Sequence, residues 1–176
     1  LNRNLLVFSA LLPLTLAIAA ASTPAPSAKA ASAALAPTDA QAAATTLVYG
    51  LLSDSRYAYR PMELDDALSA DIFRRYIEGL DGDKLFFTQA DMDRFAPYRT
   101  KLDDAIKDQD LKPAYDIFTT YVKRVDQRVA FARQLLAKPF DFSTDETWAY
   151  DREDAPWATD GAELDRQWRK YVKNDV

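Results

Sequence analysis

Apolar residues recur every three or four positions through most of this chain, a spacing that predicts amphipathic helices rather than strands. Leu47, Val48, Leu51 and Leu52 mark the first, with Pro37 and Thr38 placed to open it. The next stripe is Leu64, Leu68, Ile72, Tyr76 and Leu80, widened by Phe73 and Ile77, with acids early and bases late as a helix dipole favours. Gly82 stands where a left-handed residue ends a helix. Thr88 with Asp91 forms a capping-box pattern ahead of a short helix that Pro97 breaks. Leu102 and Ile106 predict another short helix. Asp110 precedes the longest one, carried by Leu111, Ala114, Phe118, Tyr121, Val122, Val125, Val129, Ala132 and Leu136. Pro113 is tolerated in its first turn, where amides have no partner inside the helix. From Lys138 to Ala162 the period fails, and Phe140, Phe142, Trp148, Tyr150 and Trp157 sit among acids and prolines. That stretch predicts an irregular segment held by its aromatics. Helical spacing returns at Leu164, Trp168, Tyr171 and Val172, and the pattern reaches Val176 without a capping residue. The fold class is therefore all-α: one helical domain with an irregular aromatic-rich segment.

The N-terminal region reads differently. Arg3, the apolar stretch Leu5 to Ile18 and the Ala19-Ala20-Ala21 site predict a cleavable signal peptide over residues 1–21, and hence export. The stretch is interrupted by Ser9, Pro13 and Thr15 and falls short of the roughly 20 residues a spanning helix needs. Residues 22–43, rich in Ala, Pro and Ser at their start, predict a flexible linker. The domain then occupies 44–176.

Composition narrows the chemistry. The 176 residues contain no Cys and no His, which excludes thiolate nucleophiles, imidazole bases and zinc fingers. A net charge of −5 lacks the basic stripe that nucleic acid requires, so no nucleic-acid partner is expected. Asp81-Gly82-Asp83 suggests a calcium loop, but the later ligand positions fall on Leu85, Phe86 and Met92 and fail the pattern. The pairs Asp65–Asp66, Asp103–Asp104 and Glu153–Asp154 are adjacent on the chain and point apart. Ser53, Ser55, Ser69 and Ser143 lack any glycine-rich oxyanion context. No catalytic, cofactor-binding or metal-binding residue is assigned. The basic run from Tyr121 to Arg133 reads as one exposed helix face, and Trp148, Trp157 and Trp168 as core or interface residues.

The order of residues adds a resemblance. LVYGLL, IFRRYIEGLDGDKLFFTQADMDRF, PAYDIFTTYVKRVDQR, KPFDF, REDAPWA and ELDRQWRKYVKND together resemble the N-terminal helical domain of the tail-specific proteases, or C-terminal processing peptidases. The resemblance runs from about Leu47 onward. It implies an accessory, non-catalytic domain of a periplasmic serine endopeptidase, associated in some members with the inner membrane. In that family a PDZ domain and a peptidase domain with a Ser–Lys dyad follow, and none of those catalytic residues has a counterpart here. The implied partners are those two domains, protein substrates with apolar C-termini and a periplasmic adaptor protein. The resemblance also implies a helical domain cut short at its C-terminal end. A stand-alone exported helical module that binds a protein partner is the alternative.

Overall fold

A computed structural model describes residues 35–176. The predicted signal peptide and the first part of the predicted linker lie outside the described residues. Helix α1 spans Asp39–Ser53, α2 Asp66–Asp81, α3 Gln89–Phe95, α4 Leu102–Lys107, α5 Lys112–Leu136 and α6 Gly161–Asp175. A single 3-10 turn, Ala96–Tyr98, contains Pro97 and separates α3 from α4. Among the described residues there is no strand, only an isolated parallel bridge between Thr88 and Ala158. No described helix is long and apolar enough to cross a membrane.

The helix starts follow local chemistry. Thr38 caps α1 in a reciprocal box with Gln41, so residues 39–43 are helical rather than linker. Asp65 caps α2 by accepting the Leu68 amide at 2.8 Å, and Leu64 just before it is buried. Thr88 and Asp91 form the expected box at α3, and Asp160 caps α6 through the Glu163 amide. Pro113 lies in the first turn of α5, as its missing amide allows.

Helix α4 is the small hub of one end, packed on α1, α2 and α5, while α5 runs beside α6 at the other. Two buried clusters result. The first gathers Phe73, Ile77, Phe87, Phe95, Leu102 and Ile117 from α2, the loop after it, α3, α4 and α5. The second gathers Leu85, Ala158, Leu164, Trp168 and Val172, so it is built from a loop, the irregular segment and α6.

Two stripes sit differently from their sequence reading. In α2 the deepest line is Ser69, Phe73, Ile77 and Asp81, with Ile72, Tyr76 and Leu80 half-buried beside it. In α5 the fully buried residue is Ile117, whereas Val129 and Leu136 are exposed. The first half of α5 faces the first cluster through Ile117 and Tyr121, and its later half turns Phe131, Ala132 and Leu135 to the second, which leaves Val129 and Leu136 on the outer side. Residues 137–160 form no regular element, as the loss of period predicted.

Candidate functional site

Five parts of the chain converge on the loop between α2 and α3, residues 82–88. Asp81 makes this loop. It is almost fully buried, and its carboxylate accepts the amides of Leu85 at 2.7 Å, Phe86 at 3.0 Å and Phe87 at 2.7 Å. Burial pushes the Asp81 carboxyl above its ordinary range, and the three amide donors pull the other way. The carboxylate thus folds the chain back on itself directly after the helix ends.

Gly82 does not take the left-handed conformation expected of it. Its φ of −59° is helical, and Lys84 carries the positive φ, 54°. The Asp81 carboxylate draws residues 85–87 toward it, so the reversal falls two residues later than a glycine stop would place it. A Cβ on Gly82 would lie 3.1 Å from the Glu78 carbonyl, which gives glycine a steric role there instead.

The loop then holds its neighbours through backbone groups. The Trp168 indole N–H donates to the Leu85 carbonyl at 2.5 Å, tying α6 to the loop. Lys84 donates to the Glu153 carbonyl, and Arg152 returns a bond to the Asp83 carbonyl at 2.9 Å. The Gln89 amide donates to the Ala158 carbonyl at 2.8 Å. These bonds fasten the irregular segment to the α2–α3 junction. Leu85, Phe86 and Phe87 connect the two clusters: Phe86 lies edge-on to Tyr121 and to Trp168, and Phe87 lies edge-on to Phe95.

The basic run of α5 is not one solvated face. Arg124 reaches Asp91 of α3 at 2.9 and 3.0 Å, and its charge holds the buried Asp91 carboxyl below its ordinary range against desolvation. Arg128, nearly buried itself, pairs with Asp165 of α6 at 2.5 Å. These two arginines join α5 to α3 and α6, and their partners lie 33 and 37 residues away in sequence. No short-range spacing could have revealed them.

A second cluster sits on the outer side of α6, beside a cleft of about 530 Å³ lined by Phe142, Trp148, Lys170 and Asn174 among others. Glu146 pairs there with Arg169 and, at 2.8 Å, with Lys173, which also reaches the Thr144 hydroxyl at 3.0 Å. Arg169 and Lys173 lower the Glu146 carboxyl from 4.5 to about 2. Because the folded value lies below the unfolded one, this clamp is fully present above pH 4.5 and weakens as pH falls toward 2. Residues 142–150 should therefore gain amide exchange across that window, and Glu146→Gln should show the same loosening at neutral pH. Exchange that ignores both would contradict the clamp.

None of these clusters forms a catalytic constellation. The Ser69 hydroxyl is buried and accepts the Leu102 amide at 2.8 Å, Ser53 bonds the Tyr49 carbonyl, and Ser143 bonds Asp141. Thr144 and Lys173 are a hydroxyl and an amine in contact, but the lysine is engaged in its ion pair with Glu146. Asp81 has both oxygens occupied by amides, so the Asp81-Gly82-Asp83 turn offers no free ligand set from that residue. Among the described residues no three acidic groups come close enough to hold a metal.

What the fold and this junction define is a helical domain organised around a buried turn, whose polar groups hold neighbouring elements together. The chain belongs to the tail-specific protease N-terminal domain family, whose model matches residues 51–176. The tail-specific protease of Haemophilus influenzae is 38% identical to it over 119 residues. That match covers 67% of this chain but only 17% of the relative.

Proposed function

We propose that this chain is the N-terminal accessory domain of a periplasmic serine endopeptidase that trims or degrades proteins from their C-terminal tails. Family membership over residues 51–176 is the observation that carries this reading. Its agreement with a relative named as a tail-specific protease, over a small part of that relative's length, supports a role as one domain of a larger enzyme. The engaged serines and carboxylates are consistent with a non-catalytic role for this part. Cleavage would then depend on a Ser–Lys dyad in a separate peptidase domain, with substrates presented by a PDZ domain. Export by the N-terminal signal and residence in the periplasm, peripheral to the inner membrane, complete the proposal.

The test is to capture the intact protein from fractionated cells with an antibody to the helical domain and map its peptides. The expected result is a periplasmic polypeptide carrying both this domain and a peptidase domain, with an N-terminus beyond Ala21. A cytoplasmic product, or one without a peptidase domain, would overturn the reading in favour of a stand-alone binding module.

A further inference from the structure

We propose that residues 144–150 are an open strand on which the domain holds an extended, basic segment of a protein substrate by main-chain pairing. The choice of a substrate as occupant rests on the reading of this domain as part of a protease. Alternate residues of the segment are fastened to α6. The Thr144 hydroxyl accepts from Lys173 at 3.0 Å, and Glu146 pairs with Arg169 and Lys173. The Trp148 ring lies 5.5 Å from Tyr171, and the Tyr150 hydroxyl accepts from the Asn174 side chain at 2.7 Å. Between them Asp145, Thr147 and Ala149 are exposed. A period of two is that of an extended chain, whose successive side chains point to opposite faces. Among the described residues, no backbone amide or carbonyl of residues 145–150 has a hydrogen-bond partner within the protein. The later part of the same irregular segment differs, since Glu153 and Ala158 lend their carbonyls to the α2–α3 junction. Backbone groups pinned in extended form and left unpaired are a template for another strand. Because the segment is already fastened, it has little ordering entropy left to lose on binding.

The chemistry of the occupant follows from the walls around it. The segment, together with Lys170, Lys173 and Asn174, lines the cleft of about 530 Å³, a size typical of ligand sites. Asp145 lines that cleft and has no ion-pair partner among the described residues, so it favours a lysine or arginine on the incoming strand. Lys170, also without a carboxylate partner, stands on the α6 wall as a donor to carbonyls on the far edge of that strand. A second copy of the same segment fits poorly. Residues 141–154 carry Asp141, Asp145, Glu146, Asp151, Glu153 and Asp154 against Arg152 alone, so self-pairing sets acid against acid.

The probe is a short fluorescein-labelled peptide of alternating threonine and lysine, blocked at both ends so that no terminal carboxylate contributes, added to the intact protein. Saturating peptide should raise amide-exchange protection at residues 145–149 at least tenfold, and Asp145→Lys should weaken its binding at least fivefold. N-methylation of one alternating set of its amides should abolish binding and of the other set should spare it, because only one edge of the peptide pairs. The proposal is overturned by no binding, by protection that leaves out 145–149, by equal effects of the two methylated peptides, or by unaltered affinity in Asp145→Lys. A dimer in which the same amides are already protected without peptide also overturns it. Peptide mapping of the same preparation shows whether a peptidase domain is attached. Binding by a chain without one keeps the open strand and refutes the protease reading, whereas an attached domain with no binding refutes the strand alone.

Discussion

Replacing Phe87 by alanine should destabilise the domain by about 4 kcal/mol, the usual cost of removing a large aromatic from a packed core. Its side chain is wholly buried, 5.4 Å from the Phe95 ring, 5.9 Å from Tyr121 and 6.3 Å from Trp157. Those rings come from α3, α5 and the irregular segment, so no single neighbour can move in to close the cavity without releasing another contact. The measurement is the urea midpoint of residues 35–176, with the slope of the transition as a control on the unfolded state. Phe87→Leu, which keeps much of the volume, should cost less than half as much. A small effect from the alanine variant would mean that the loop is not the joint between the two clusters.

Asp81→Ala should be nearly as damaging, by about 3 kcal/mol or more, although it removes no apolar surface. Three amides would lose their acceptor, and an unsatisfied buried N–H typically costs about 1–3 kcal/mol. The Leu85 and Phe87 amides are the buried ones, so most of the effect comes from them. The loss should also reach α6, because the Leu85 carbonyl held by Trp168 sits in the same loop. Tryptophan emission should therefore shift to the red in native buffer, before the main unfolding transition. Asp81→Asn leaves one acceptor oxygen and should fall between wild type and alanine. If asparagine and alanine both match wild type, the carboxylate is not what shapes the turn.

Much of this architecture was legible in the sequence because its determinants are local. The caps at Thr38 and Thr88, and the proline in the first turn of α5, act within a few positions along the chain. The stripe Leu164, Trp168 and Val172 is buried as its spacing predicted, because α6 has one inward side and one polar side. What the sequence concealed is non-local. Arg124 and Arg128 look like a solvated face until α3 and α6 supply their carboxylates. Ile117 was absent from the expected stripe because α5 is apolar over a broad arc, and only its contacts select the deepest line. Gly82 misled for a different reason. A glycine after a helix normally takes the reversal, but a buried carboxylate one residue earlier moved it to Lys84. The apolar positions of α1 were read correctly as a helix, yet Leu47 and Leu51 face outward. Periodicity identifies a face and leaves open what that face meets.

Where the chemistry resides decides between an accessory domain and a catalytic one. The direct measurement is cleavage of a protein substrate with an apolar C-terminus, assayed side by side with the intact parent protein and with residues 35–176 alone, both freed of host proteases. A Ser–Lys dyad outside this domain requires that the intact protein cleave and that the isolated domain, folded by circular dichroism, show no turnover above buffer. Turnover by the isolated domain would contradict the account, because it would require a nucleophile and a base among side chains that here hold the fold together.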